Sequence, residues 1–378
     1  VTEVIAVDPV SPDAAAVARA AAVIATGGLV AFPTETVYGL GAHALDRVAV
    51  QRLFAAKGRP ASDPLIVHVA SLDQALPLLA SVPPAARELA ARFWPGPLTL
   101  VMPRSARVPD EVTAGLQTVA VRVPSHPVAR ALLAAAAVPI AAPSANLFSR
   151  PSPTSAAHVM EDLDGLVDIV LDAGPTSVGV ESTVVDLTRQ PPVVLRPGAI
   201  TLAMLRDLLP SVSALAPVAL PPDSAMPSPG LLERHYSPRA PLTLYEGHSD
   251  EVLDRVIEEV RRARDAGRTV GVLASREDCG RLPSNDPGLH VVDVGSASDP
   301  PAVASRLYGA LRELDRAGVD LILARGFPAS DGLGTAIQDR LRRAAAGRIT
   351  RVSPAGDVTA GRAEPEPTPR RIGRAESG

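Results

Sequence analysis

Between Pro210 and Pro241 the chain carries Pro217, Pro221, Pro222, Pro227, Pro229, Pro238 and Pro241, set among serine and alanine. Proline has no backbone N–H and a fixed φ, so such a stretch can join neither a helix interior nor a central strand. It reads as an extended, semi-stiff connector, and it cuts the chain into two folding units. On both sides, apolar runs of strand length alternate with segments of helical period, the signature of α/β structure. Before the connector, strands are expected at Leu29–Phe32, Leu65–Val69, Leu98–Met102, Val119–Val123, Val167–Leu171, Thr183–Leu187 and Val193–Leu195. Helices are expected from the Ser11-Pro12-Asp13 start to Gly27-Gly28, and at Asp46–Ala56, Leu72–Ala80, Ala85–Phe93, Val128–Ala137 and Leu202–Leu209. After it, strands at Leu242–Tyr245, Thr269–Leu273, His290–Val294, Leu321–Ala324 and Arg348–Val352 enclose helices at Glu251–Ala266, Pro301–Ala317 and Gly334–Ala346. The first unit predicts α/β structure around a twisted mixed sheet, the second a smaller, parallel, Rossmann-like sheet. The division expected is residues 1–210, a connector 211–241, residues 242–353, and a tail 354–378 whose Pro, Glu, Arg and Gly content predicts disorder.

Composition removes several function classes. At 378 residues the chain has length for two real cores, and a net charge of −4 leaves no global field for a polyanion. The single cysteine, Cys279, excludes an intrachain disulfide, a multi-cysteine zinc site and a CxxC redox pair. The acidic N-terminal segment has no basic run of a secretory signal, and no apolar stretch reaches the roughly 18 residues of a membrane span. A cytoplasmic protein with no membrane partner is expected. No glycine spacing before a lysine makes a P-loop, and Gly39/Gly41 and Gly332/Gly334 lack the third glycine of a dinucleotide fingerprint. A nucleotide, if used, is bound another way.

Of the 37 Lys plus Arg residues, Lys57 is the only lysine. Arginine-favouring codon usage accounts for the arginines and leaves the exception to explain. Lys57-Gly58-Arg59-Pro60 ends a helix, where any cation complements the dipole. Arginine would do that equally well, whereas lysine offers a compact charge with a movable pKa. Other polar signals sit at strand ends. Pro33-Thr34-Glu35-Thr36-Val37-Tyr38-Gly39-Leu40-Gly41 is either a polar turn or a small-ligand loop. His68 lies inside Leu65–Val69 and Arg122 inside Val119–Val123. A strand histidine is most often a satisfied core residue. A buried arginine needs an anion, which is either an internal carboxylate or a ligand. Pro143-Ser144-Ala145-Asn146, Ser152 with Thr154, Gly179-Val180-Glu181-Ser182-Thr183 and Leu195-Arg196-Pro197-Gly198 complete the set. Together, Lys57, Arg59, Arg122 and Arg196 beside hydroxyl-rich loops describe a pocket for several anionic groups.

The segments PTETVYGLG, KGRP, PLIVHV, WPGPLTLV, VAVRVP, PIAAPSAN, RPSPT, GVESTVVD and RPG occur in the order seen in YrdC-like proteins, over roughly Ala15 to Leu209. Ser228-Pro229-Gly230-Leu231-Leu232-Glu233-Arg234-His235-Tyr236-Ser237-Pro238 resembles the linker of the long, two-domain threonylcarbamoyl-adenylate synthases. So does Gly332-Leu333-Gly334 leading into Asp339-Arg340-Leu341-Arg342-Arg343-Ala344. The resemblance implies a YrdC-like catalytic domain followed by a linker and a Rossmann-like domain. It implies an ATP-dependent nucleotidyltransferase in which L-threonine, bicarbonate and ATP give threonylcarbamoyl-AMP and pyrophosphate, with magnesium on the ATP phosphates and no protein ligand to the metal. The product would serve threonylcarbamoyladenosine modification of tRNA, through transient contact with a downstream transferase.

By position in the family's motifs, Thr36, His68, Arg122, Ala142 and Ser182 would build the threonine site. Arg59, Asp63, Thr118, Ser144, Ser152 and Arg196 would build the ATP site, with His235 closing over it. Lys57 and Arg59 would be catalytic, Lys57 at the junction of the two substrates. Asp63 departs from the asparagine the family often has there, and an acid near phosphates needs Arg59 or magnesium beside it. The C-terminal unit offers no comparable cluster and is expected to act as a cap through the linker. Two other readings compete: a carbamoyl-adenylate-forming enzyme, and a non-catalytic RNA-binding module. The negative charge and the 3% aromatic content disfavour base stacking and strong direct nucleic-acid binding.

Overall fold

The structure, a computed structural model, describes residues 1–215, 225–230, 235–247, 249–283, 286–327, 332–353 and 358–360. The N-terminal sheet consists of β1 (Glu3–Ala6), β2 (Val30–Pro33), β3 (Tyr38–His43), β4 (Ile66–His68), β5 (Leu98–Pro103), β6 (Thr118–Arg122), β7 (Ile140–Ala141), β8 (Ile169–Asp172), β9 (Thr183–Asp186), β10 (Val193–Arg196) and β11 (Ser213–Ala214). Their spatial order is β1-β8-β2-β3-β7-β4-β6-β5-β9-β10-β11. Parallel pairs such as β4 with β6 alternate with antiparallel ones such as β5 with β6, so the sheet is mixed. Strands buried on both faces, such as Val30–Pro33, account for their continuous apolar runs.

The second sheet holds β12 (Leu242–Gly247), β13 (Val270–Ala274), β14 (Leu289–Asp293), β15 (Leu321–Arg325), β16 (Ile349–Val352) and β17 (Val358–Ala360), in the order β14-β13-β15-β12-β16-β17. Every pair is parallel except β16 with β17. The Rossmann-like expectation therefore describes five strands. The sixth corrects the expectation of a wholly disordered tail, because residues 358–360 extend the sheet edge; residues 361–378 lie outside the described residues, as does most of the proline run at 216–224.

Other departures have local causes. Tyr38–His43 is a strand that the two glycines hide. Gly41 is small because a Cβ there would meet Ile140 Cγ2 and Phe32 Cε1 at 2.9 Å, which is a packing constraint and not a turn. The helix expected at Leu72–Ala80 stops after Ala75 and continues as a 3₁₀ turn at Leu76–Leu78, because Pro77 cannot supply an N–H. A helix at Ala156–Leu163, capped by Ser155, follows the proline-rich turn.

The two units share a buried surface. Val303, Leu307, Tyr308 and Leu311, on the helix Pro300–Ala317, pack in one apolar cluster with Val37, Val180 and Tyr236. Arg312, on the same helix, is buried and donates through Nη2 to Asp162 Oδ2 at 2.7 Å and to the Pro151 carbonyl at 2.6 Å.

Candidate active site

Several strand ends and loops converge on one hollow of about 510 Å³, counting its open mouth. The β2–β3 connection brings Thr34 and Thr36, β4 brings His68, β6 brings Arg122, and the turn after β7 brings Ala142 and Ser144. The approach to β9 brings Glu181 and Ser182, β10 brings Arg196, and the connector lays Pro229, Gly230, His235 and Tyr236 across them. Gly230 has φ +80°, and a Cβ there would lie 2.7 Å from the Tyr236 hydroxyl, so only glycine fits that turn under the tyrosine.

The cations are held in defined poses. Arg122 donates through Nη2 to Glu35 Oε1 at 2.6 Å, through Nη1 to Thr36 Oγ1 at 3.0 Å, and through Nε to the Gly96 carbonyl at 3.3 Å. The anion that a buried strand arginine demands is thus, in this structure, the internal carboxylate of Glu35. Arg196 donates through Nε to the Ser182 carbonyl, through Nη1 to the Pro229 carbonyl and through Nη2 to Ser182 Oγ. Arg59 donates to the carbonyls of Asp63 and Pro64. Its Nη2 stands 2.9 Å from Asp63 Oδ2, yet neither Asp63 oxygen accepts an aligned hydrogen bond. The pair is electrostatic in character. Burial pushes the Asp63 carboxyl up, with Arg59 and Lys57 opposing.

Burial, helped by Arg122, pulls His68 down to about 3, so the ring is neutral at physiological pH. Its Nδ1 has no hydrogen-bond partner. Burial likewise lowers His235, whose ring lies edge-on to Tyr236 at 4.0 Å and whose Nδ1 is also unpartnered. Glu181 behaves oppositely. Burial alone would raise it, but Arg340, Arg196 and the Ser152 hydroxyl outweigh burial and hold it down to about 2.

The structure brings Thr36, Arg59, His68, Arg122, Ala142, Ser144, Ser182, Arg196 and His235 into one wall. Four expected residues stand elsewhere. Lys57, only 2% exposed, lies behind Ser144 and gives Nζ–H bonds to the carbonyls of Ser144 (2.6 Å) and Asn146 (2.5 Å). Asp63 lies behind Arg59, and Ser152 behind Glu181, to which its hydroxyl donates. Thr118 lines a neighbouring, smaller groove with Pro64, Leu65, Pro227 and Ser228.

A family model described as telomere recombination matches residues 22–198, and one described as the threonylcarbamoyl-AMP synthase C-terminal domain matches residues 200–346. Threonylcarbamoyl-AMP synthase of Pyrococcus abyssi is 46% identical over 333 residues, covering 88% of this chain and 95% of its own length. The chain belongs to the threonylcarbamoyl-AMP synthase family. The synthase of Bacillus subtilis is 44% identical over 346 residues, 91% of this chain and 97% of its own. The crystal structure of P. abyssi Sua5 complexed with L-threonine superposes with a TM-score of 0.86 at 45% identity, over 93% of this chain and all of that one.

Glu181 and Tyr236 also line the hollow, and Glu35 holds Arg122 from outside it; the sequence offers all three only as members of their segments, without a role of their own. The C-terminal unit, expected to act as a cap without a comparable cluster, lines none of the hollow but reaches a carboxylate in its wall. Arg340 Nε donates to Glu181 Oε2 at 2.8 Å, and the Tyr308 hydroxyl lies 3.1 and 3.0 Å from the two Glu181 oxygens. Both residues stand in segments conspicuous in the sequence, Glu181 in Gly179–Thr183 and Arg340 in Asp339–Ala344, but nothing in either segment pairs them.

Proposed function

We propose that this chain joins L-threonine, bicarbonate and ATP into threonylcarbamoyl-AMP, releasing pyrophosphate. The observation that carries the reading is the convergence of Arg59, Arg122 and Arg196 with a neutral His68 on one hollow. Three anions must meet in the reaction: the threonine carboxylate, the new carbamate and the triphosphate. Two like charges about 4 Å apart repel by about 4 kcal/mol near a protein surface, and fixed guanidinium groups offset that repulsion.

Threonine sits against Thr36, His68, Arg122, Ala142 and Ser182, its carboxylate toward Arg122. A neutral imidazole beside it accepts or gives one hydrogen bond without adding charge. ATP extends past Arg59, Ser144 and Arg196 under His235, with the Thr118 groove available to its base. The threonine nitrogen adds to the carbon of bicarbonate, whose C–O(H) bond breaks, and the expelled hydroxide leaves as water with a proton from the nitrogen; where CO2 forms first, that hydroxide has already left, and the addition releases only the nitrogen's proton. A carbamate oxygen then attacks the α-phosphorus in line, and the bond to the pyrophosphate oxygen breaks. No side chain becomes covalently attached. Positioning and charge stabilisation supply the acceleration. Lys57 acts from behind, orienting Ser144 through its carbonyl; Asp63 orients Arg59, and Ser152 orients Glu181.

Magnesium enters as part of the MgATP substrate. Among the described residues no group of three or more His, Cys, Asp or Glu is placed to hold a metal ion. The described residues likewise include no helix long and apolar enough to cross a membrane. A cytoplasmic setting, and hand-over of the product to a tRNA-modifying transferase, follow from the same reading.

The test is pyrophosphate release with mass-spectrometric detection of the adenylate. Release that requires both L-threonine and bicarbonate supports the reading. Release driven by carbamoyl phosphate, or RNA binding without turnover, refutes it in favour of the two competing readings.

A further inference from the structure

The wall of a pocket for anions contains an ionised carboxylate, Glu181. Left alone, that carboxylate would turn to Arg196, the cation beside it in the wall, and consume it. It does not. Arg196 commits three of its five N–H groups, to the Ser182 carbonyl, the Pro229 carbonyl and Ser182 Oγ, and none to Glu181. Glu181 is claimed instead by Arg340 Nε at 2.8 Å, by the Tyr308 hydroxyl and by Ser152.

Arg340 is itself fixed. Nη2 donates to the Pro197 carbonyl at 3.1 Å, Nη1 to Asp339 Oδ2 at 2.7 Å, and the guanidinium lies 5.4 Å from the centre of the Tyr236 ring. The alternative is a buried pair that only fastens the two units together. Arg312 with Asp162 is such a pair, and neither residue touches the hollow. Glu181 differs because it is part of the wall, adjacent in sequence to Ser182, with which Arg196 also bonds.

We propose that Arg340 is a positioning residue of the nucleotide subsite: by claiming the Glu181 carboxylate it leaves the Arg196 guanidinium available to a phosphate of ATP. The C-terminal unit thereby sets the charge of a pocket it does not line. This inference rests on the synthase reading, and its test separates the two.

The full-length wild type, Arg340→Gln, Arg340→Lys and the double variant Glu181→Gln/Arg340→Gln are compared by pyrophosphate release, titrating ATP and L-threonine separately, with urea unfolding as a control. Arg340→Gln should raise the KM for ATP about tenfold or more, the scale of one lost charged contact, while the KM for threonine moves far less. Arg340→Lys should fall between it and the wild type. The double variant should recover most of the ATP affinity, because the carboxylate that competes for Arg196 is gone. A merely structural pair predicts no recovery. An unchanged KM for ATP in Arg340→Gln, or a double variant no better than the single, overturns the proposal. Should Arg340→Gln fail to fold, the double variant decides: near-wild-type KM for ATP supports the proposal, and a tenfold loss overturns it. A wild type that releases no threonine-dependent pyrophosphate instead overturns the synthase reading.

Discussion

Replacing Arg122 by glutamine should cost stability as well as turnover, and the size of the cost follows from its surroundings. The Arg122 and Glu35 side chains are 4% and 9% exposed, with Nη2 and Oε1 2.6 Å apart. Removing the guanidinium strands the Glu35 carboxylate, which keeps one backbone donor, the Ser125 N–H at 3.1 Å. One-sided breakage of a buried ion pair costs about 3–5 kcal/mol. For a unit of this size each kcal/mol lowers the melting temperature by about 2–4 °C, so a drop of about 6–20 °C is expected. Glu35→Gln/Arg122→Gln removes both charges and should regain more than half of it. Thermal unfolding followed by circular dichroism gives the temperatures, and pyrophosphate release gives the KM for threonine. That KM should rise in both variants, because the carboxylate of the substrate loses its cation whichever residue occupies position 35. A single variant melting within 2 °C of the wild type, or a double variant no more stable than the single, would refute the reasoning about the pair. A threonine KM that does not move would refute the role in substrate binding.

Three further outcomes are expected. His68 is held down to about 3 against an ordinary value near 6.5, so its stabilising neutral form is fully present above pH 6.5. That stability is lost as pH falls from 6.5 toward 3, by roughly 4–5 kcal/mol in total, with His235 and His158 acting in the same direction. Urea midpoints measured at pH 7 and pH 5 should therefore separate less in His68→Asn than in the wild type; an equal separation contradicts this. Gly230→Ala forces a side chain into a φ of +80° and against the Tyr236 hydroxyl, and should raise the KM for ATP severalfold while lowering the unfolding free energy from urea titration by no more than about 1–2 kcal/mol; unchanged kinetics would show that the connector turn does not shape the site. Lys57→Arg places a larger guanidinium where the ammonium meets two carbonyls, and should lower kcat by tenfold or more by displacing Ser144; full activity would make the lone lysine an accident of composition.

Much of the architecture was legible because burial on both faces leaves a direct trace. Runs such as Leu98–Met102 and Val119–Val123 read as covered strands, and strands stand there at Leu98–Pro103 and Thr118–Arg122. Tyr38–His43 was not legible, since its glycines answer to Phe32 and Ile140 across the sheet and not to any local turn. Within the site, polar strand ends drew attention to Arg122 and Arg196, whereas His68 and Ala142 were named as site residues through the family resemblance alone; all four line the hollow. Three others stand outside the lining. Lys57, Asp63 and Ser152 are polar and near the pocket, yet each points at a neighbour, and only the tertiary structure distinguishes a wall from its support. Arg340 and Tyr308 were missed for another reason. Their partner Glu181 lies 159 and 127 residues away, and no local pattern reports that an arginine on a C-terminal helix bonds a carboxylate in the wall of an N-terminal hollow.

The burial of Lys57 also makes the chain its own reporter of unfolding. It is the only lysine, and in the folded protein it is 2% exposed, at the end of the helix Arg47–Lys57 with its amine tied to two carbonyls. A lysine-specific endoprotease has one bond to cut, after Lys57, which would yield pieces of 57 and 321 residues (378 less 57). Cleavage requires that segment to leave its place, so a single band shift counts opening events of the region that backs the pocket. When the chain recloses faster than the protease cuts, the rate reports the equilibrium free energy of that opening. Ligands that fill the hollow should slow the cut in proportion to their occupancy, turning one residue into a label-free gauge of substrate binding.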